Sequence, residues 1–251
     1  MKNLLFLLLC SVAMLFAQEA APDWMAIGNA AYESFDDAKA VASYEAIIAV
    51  DSNNCEALWK ASRSHVIVGE LEGKAAQETH YPKAEKLARR AAVLCPENVD
   101  TQLNLAIAVG RLAILRGGKT KVELSKEVKE RAEKAIQLNP QEDIAYHVLA
   151  RWNREVAILS GVKKALAKII YGGLPPASRE KAVELFQQAI AIDPNYIIHH
   201  YELGLTYETL GKWAEAKSAY EQALHLTAVS PRDKKYQAEA KQQLERVMKK
   251  L

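Results

Sequence analysis

The sequence predicts an all-α protein, a superhelix of about five stacked helix pairs closed by one further helix. Three observations predict it. Ala, Leu, Glu, Lys and Gln are plentiful, while 251 residues hold only 11 Gly and 8 Pro, which is the usage of helices. A pattern of small and aromatic residues returns with a period of about 34 residues. Prolines 96, 140 and 194 follow the expected second helix of successive pairs, where a helix must stop. Hydrophobic residues make up 50% of the chain, enough for a sizeable core. The formal net charge of +2 lacks the basic excess of a dedicated nucleic-acid binder, so no nucleic-acid partner is expected.

The first element reads as a signal peptide, residues 1–17. Lys2 supplies a positive start. Leu4 to Leu9 and Val12 to Phe16 form an apolar run broken only by Cys10 and Ser11, and Ala17 is a small residue at the expected cut. About 14 apolar residues are short for a membrane span. Leu9 stands before Cys10 where lipidation needs a small residue. The expectation is an exported protein, periplasmic or secreted, with no transmembrane segment after cleavage.

The repeats occupy the rest, 18–251. The segment 197–230 carries the pattern most clearly, in Leu203-Gly204, Tyr207, Gly211, Ala216, Tyr220 and Ala223. The segment 21–54 repeats it in Trp24, Ile27-Gly28, Ala40, Tyr44 and Ile47. Weaker copies lie at 55–98 (Leu58, Ala61, Ala84, Ala88), 99–142 (Leu105, Ala106, Ala132, Ile136) and 143–196 (Leu149, Ala150, Ala182, Phe186). Small residues let paired helices approach, and aromatics fill the gaps between pairs. The second and third copies hold roughly ten extra residues and the fourth about twenty, read as enlarged hairpin turns along one edge. The highly charged tail 233–251, with Leu244 and Val247 in helical spacing, reads as a capping helix.

This pattern resembles the tetratricopeptide repeat family. The fourth copy adds a more specific likeness. Its run from Ala145 through Tyr146, His147, Val148, Leu149, Ala150 and Arg151 to Trp152, with Glu155-Val156-Ala157 and the stretch 169–178, resembles the regulator of microtubule dynamics family. The likeness is good from Asp143 onward and holds in outline before it; Ala150, Asn153 and Gly161 depart from it. It implies a repeat fold, an association with microtubules and organelle contacts, and a lipid-binding role proposed for such domains. An exported protein cannot meet cytoplasmic microtubules, so the fold and a groove for a peptide or apolar ligand are expected to transfer, and the cytoskeletal role is not.

In repeats of this kind the first helix of each pair lines the concave face. In register that face receives Trp59 and Arg63, then Arg111, then His147, Arg151 and Arg154, then Tyr201. Basic heads among aromatic walls suit an anionic group on an apolar body, such as a peptide carboxylate or a lipid head. The competing reading pairs these arginines with Glu155, Glu208 or Glu56 to stiffen the array. Trp152 and Tyr146 fall on the packing side. In the fourth insert, 162–171, Leu166, Ile169 and Ile170 alternate with Lys163, Lys164 and Lys168, an amphipathic helix suited to a membrane surface, to a ligand or to the solenoid's own edge.

Catalytic signals fail. Gly118-Lys119-Thr120 ends like a phosphate loop, but the required earlier Gly is Ala113. His199 and His200 are adjacent and make a poor metal pair. The expectation is a non-enzymatic binder with no cofactor and no metal. Its partner is a peptide or protein, the alternative being an amphipathic anionic ligand such as a phospholipid.

Cys55 opens one helix and Cys95 follows the next, so in an antiparallel pair the two are neighbours. They form either a disulfide or two buried thiols. A bridge leaves no reactive thiol from this pair before reduction and two after it; two reactive thiols in the oxidised protein would exclude it.

Overall fold

The computed structural model describes residues 22–159, 161, 165, 168 and 173–251. The expected signal peptide and most of the insert 162–171 lie outside the described residues. Eleven helices form the described chain. They pair as α1 (Trp24–Glu33) with α2 (Asp37–Val50), α3 (Cys55–Glu72) with α4 (Lys74–Leu94), α5 (Val99–Arg116) with α6 (Gly118–Leu138), α7 (Asp143–Ala157) with α8 (Arg179–Ile192), and α9 (Ile197–Thr209) with α10 (Trp213–His225). The last, α11 (Pro231–Val247), stands alone.

Local chemistry fixes the helix starts. Asp23, Asp36, Asn54, Asn98 and Ser178 each accept a bond from a backbone N–H of the first turn, satisfying a donor that the helix cannot. Ser230 and Asp233 cap α11 reciprocally, with a proline in its first turn. Between pairs, Asp51, Asn139 and Asp193 each take a backbone N–H two residues on, the same Asx turn three times.

Close approach within a pair rests on glycine against tyrosine. A Cβ on Gly28 would lie 2.6 Å from the Tyr44 ring, one on Gly69 2.6 Å from the Tyr81 ring, and one on Gly204 closer still to Tyr220. All three rings are buried. The Tyr220 hydroxyl donates to Glu208, which holds that ring in place. Fully buried alanines, among them Ala84, Ala88 and Ala132, do the same work in the longer pairs.

The enlarged turns expected in the second and third copies are a point of correction. The extra residues lengthen the helices instead. α3 and α5 have 18 residues each, α4 and α6 have 21. A single residue joins α3 to α4, Gly73 at φ 89°, and Gly117 at φ 63° joins α5 to α6. Both angles lie where a side chain is strained. Residue counting fixes how much chain lies between two motifs, not whether it is coil or helix.

The first helices of pairs two to five neighbour one another in turn, α3 to α5, α5 to α7 and α7 to α9, and so form the inner wall. The capping helix α11 buries Tyr236, Ala240 and Val247 against the last pair. It also reaches across the inner face to α3, through side chains rather than a packed backbone interface. Cys55 and Cys95 sit at adjacent ends of α3 and α4, their Cα atoms 6.5 Å apart and their sulfurs placed as a disulfide. Among the described residues no helix is long and apolar enough to cross a membrane.

Two glycines should respond to alanine with opposite signs. Gly204→Ala gains about 1 kcal/mol of helix propensity but drives a methyl into the fixed Tyr220 ring, a strain of about 1–3 kcal/mol, so urea unfolding should find it destabilised. A Cβ on Gly110 would lie 3.7 Å from Val128, an ordinary contact, so Gly110→Ala should be neutral or stabilising by up to about 1 kcal/mol.

Candidate functional site

On the inner wall, α5, α6 and α7, with Tyr196, Ile198 and Arg232, line a half-open cavity of about 120 Å³. Its walls are apolar, with Ile107, Val122, Val128, Ile144, Val148 and Val156 among them. Trp152 closes one side, its Nε1 donating to the Ser125 carbonyl at 2.7 Å and hydroxyl at 2.8 Å. Three guanidiniums also face it, from Arg111 on α5, Arg151 on α7 and Arg232 on α11, with His147 of α7 beside them.

These charges are held by two buried carboxylates. Glu70, 3% exposed on α3, receives Arg111 at 2.8 Å and Arg232 at 3.3 Å, together with the Tyr236 hydroxyl. The Lys235 ammonium donates to its backbone carbonyl at 2.7 Å. Burial pushes the Glu70 carboxyl up, but Arg111, Arg232 and Tyr236 outweigh burial and hold it at about 2. Glu202 on α9 takes Arg154 at 2.5 Å and Arg151 at 3.3 Å. Burial again pushes that carboxyl up, and the two guanidiniums bring it below the usual range. With Lys121 on Glu155, which also lies 3.7 Å from Arg154, four guanidiniums and one ammonium share three carboxylates, a surplus of positive charge around the cavity.

Histidines link the fourth and fifth pairs. Asp143 Oδ2 lies 2.8 Å from His199 Nε2, and His199 Nδ1 lies 2.9 Å from His147 Nδ1. His147 is 7% exposed. Burial, then His199 and the surrounding arginines, keep its imidazole neutral far below the ordinary range.

Of the concave residues expected from the sequence, the structure brings Arg111, His147 and Arg151 to one cavity. It does not bring the others. The Arg63 guanidinium lies 3.5 Å from the Tyr32 ring and 5.1 Å from that of Trp59, a separate stack at the first and second pairs, with Trp59 itself packed against Leu58 and Ala91. Arg154 is buried and bonds the Glu202 carbonyl at 3.0 Å. Tyr201 is core, its ring 5.3 Å from Tyr236 and 6.1 Å from Tyr220.

Pairing of the arginines is real: Arg154 meets the expected Glu155, while its main partner and those of Arg111 and Arg151 are Glu202 and Glu70, and Glu56 and Glu208 pair elsewhere. Glu155 lies 3.7 Å from Arg154 and takes Lys121 at 2.7 Å; Glu56 takes Lys60; Glu208 takes Tyr220 and Arg246. Sequence reasoning missed Glu70, Glu202, His199 and Arg232. A charged residue at a buried position of a first helix is the available signal for Glu70 and Glu202. Nothing in the spacing points to Arg232. Among the described residues no group of three or more His, Cys, Asp or Glu side chains could hold a metal ion.

Comparison with known proteins follows the same outline. The family model of regulator of microtubule dynamics protein 1-3 matches residues 25–249. Regulator of microtubule dynamics protein 1 of Bos taurus is 29% identical over 197 residues, 77% of this chain and 62% of that protein. Regulator of microtubule dynamics protein 2 of Mus musculus is 28% identical over 195 residues, 77% of this chain and 48% of that protein. The chain therefore spans about half to three-fifths of the length of these curated relatives. A thermophilic tetratricopeptide protein of Thermus thermophilus superposes with a TM-score of 0.62 at 16% identity, over 87% of this chain and 97% of that one, and so shares the fold. These relatives correct the expected location. Residues 1–17 predict a periplasmic or secreted protein, whereas the matched relatives from Bos taurus and Mus musculus are named as regulators of microtubule dynamics, and microtubules lie inside cells.

The pH dependence of stability should report Glu70. Its folded pKa of about 2 lies below the ordinary 4.5, so its stabilisation is complete above pH 4.5 and is lost as pH falls towards 2. The shift corresponds to about 3 kcal/mol. Glu70→Gln should flatten that part of the pH profile of urea unfolding by a similar amount.

Proposed function

The chain belongs to the regulator of microtubule dynamics family, and from that premise we propose that it is a non-enzymatic scaffold that holds a peptide or protein partner at its concave face. One observation carries the reading: the inner-wall cavity, apolar on its sides, is lined by four cations, Arg111, Arg151, Arg232 and Lys121, against one lining carboxylate, Glu155, with Glu70 and Glu202 behind. Such a surface recognises an anion joined to an apolar group. The crossing of α11 to Glu70 favours a partner that enters at the cavity over one threaded along the whole inner face.

The relatives are named for microtubule dynamics. With the exported location removed, the reason for setting a cytoskeletal role aside is gone, and proteins of the microtubule system are the first partners to seek. The second reading, a carrier of an amphipathic anionic ligand such as a phospholipid, draws on the same walls and cations. Size disfavours it. A cavity of about 120 Å³ is close to the engineered one of about 150 Å³ that holds benzene, and far from the space two acyl chains need. The non-enzymatic reading draws on the cavity's bonding: the Ser125 hydroxyl accepts from Trp152, and His147 Nδ1 is bonded to His199.

A photo-crosslinking residue in place of Ile114, half exposed at the cavity rim, tests the scaffold in cells. Arg151→Gln is the matching variant, because Arg154 still holds Glu202 and the fold is kept. Adducts to a defined protein should fall about tenfold in that variant, as expected for one lost charge-assisted bond. Adducts that do not change would place the partner elsewhere on the surface.

A further inference from the structure

The disulfide between Cys55 and Cys95 joins two unlike helix ends. Cys55 is the first residue of α3, so its sulfur lies beside the N–H groups of a first turn. Asn54 answers two of these, its side chain taking the Ala57 N–H and its carbonyl that of Leu58. The N–H groups of Cys55 and Glu56 have no partner among the described residues. Cys95 instead ends α4, where a helix gathers unpaired carbonyls. Its own N–H is spent on the Ala91 carbonyl at 2.8 Å, the same carbonyl that lies 3.8 Å from Cys55 Sγ. The helices have 18 and 21 residues, so the positive end of one macrodipole and the negative end of another meet across a single bond.

Side-chain charges at this edge do not set the two sulfurs apart. They are Asp51 before α3, Glu56 with Lys60 on α3, Arg90 on α4, and Glu97 with Lys134 and Asp100 beyond it. They act on two sulfurs bonded to each other, and so on both to a similar degree. The helix ends make the difference. A thiolate is favoured at a helix N-terminus and opposed at a C-terminus, so once the bond is broken Cys55 is the better thiolate and Cys95 the poorer. Both residues are half-buried, within reach of a small molecule. The turn that carries Cys95 is also held without the bridge. Buried Thr101 donates to the Cys95 carbonyl at 2.7 Å, and buried Gln102 to that of Pro96 at 2.8 Å. With Cα atoms 6.5 Å apart, two free thiols stay placed to close again.

We propose that this bridge is a thiol–disulfide exchange site for a low-molecular-weight thiol, with Cys55 as the exchanging sulfur and Cys95 as the resolving one. In the opening direction a small thiolate attacks Cys95 Sγ. A bond forms between them, the Cys55–Cys95 bond breaks, and Cys55 departs with the electron pair as the better leaving group. A second small thiolate attacks the cap, frees Cys95, which takes a proton, and leaves as the small disulfide. Two small thiols are oxidised to one disulfide while the bridge is reduced to two thiols. In the closing direction the Cys55 thiolate attacks a small disulfide and expels one small thiolate. Cys95 then attacks Cys55 Sγ and expels the other. What opens and closes is the second pair, joined at one end by Gly73 and at the other by this bond, 40 residues apart in sequence. Exchange suits a cell interior, where small thiols are abundant. It does not depend on what the concave face binds.

Two measurements test the proposal. In the first, the full chain is equilibrated with mixtures of reduced and oxidised glutathione, and the bridged fraction is read by alkylation and mass spectrometry. The bridge should be more than half open at millimolar reduced glutathione and should form again when oxidised glutathione is restored. A bridge that stays closed until the chain is unfolded is a structural one and overturns the proposal. The second measurement fixes the roles. Iodoacetamide labelling of the reduced chain is followed peptide by peptide across a pH series. At neutral pH Cys55 should react about tenfold faster than Cys95, and its rate should level off at lower pH. Equal rates with equal midpoints, or a faster Cys95, overturn the proposal. Single variants read the same asymmetry through the cap itself. With oxidised glutathione, Cys95→Ser should take a stable cap at Cys55, and Cys55→Ser should take one at Cys95 about tenfold more slowly. Equal capping rates overturn it as well. If a variant does not fold, the labelling rates of the unsubstituted chain still decide.

Discussion

The carboxylate of Glu70 is the point on which the inner face depends. A buried carboxylate is expensive unless it is paired and bonded on its remaining lone pairs. Here Arg111 comes from the next pair, and Arg232 and Tyr236 come from the capping helix, 162 and 166 residues further on. The requirement to satisfy one charge therefore dictates the path of α11 and the direction of Arg111. Both guanidiniums that meet Glu70 also face the cavity. The same contact closes the array and charges the site.

That arrangement explains how a cavity lined by arginines remains compatible with folding. Each guanidinium keeps a carboxylate partner when nothing is bound, yet the partners are shared. Sharing leaves bonding capacity over. The Nε atom of Arg232, for instance, is buried without a hydrogen-bond partner. An incoming anion can complete such a set without stripping Glu70 or Glu202 bare, which would cost several kcal/mol. A site with one arginine per carboxylate would have to break a pair before it could bind.

How much of this is legible in the sequence follows from the range of each interaction. The repeat is legible because its packing is local and periodic: Gly28 meets Tyr44 and Gly204 meets Tyr220, 16 residues apart in each case. Arg111, His147 and Arg151 are legible as one group because they fall on successive first helices. Arg63 occupies the same motif position as Arg151 but lies against Tyr32 and Trp59, aromatic rings that its own and the preceding pair supply and that the motif position alone does not reveal. In the sequence His199 invites comparison with its neighbour His200, whereas its partners Asp143 and His147 lie on another helix. The length of the helices in the middle pairs is not legible either, since two single glycines decide it.

A stack of helix pairs is ordinarily one-dimensional: each repeat feels only its neighbours, so ends fray and parts unfold in sequence. The contact between α11 and Glu70 breaks that rule by tying the fifth pair to the second. The fourth and fifth pairs are tied again by the histidine chain from Asp143 to His147. The segments that wall the cavity therefore cannot open one at a time without exposing a charge that the others hold. Cooperativity of the middle and C-terminal pairs thus has two sources, the two buried carboxylates and the apolar cluster that runs from Val66 of the second pair to Ala219 of the fifth.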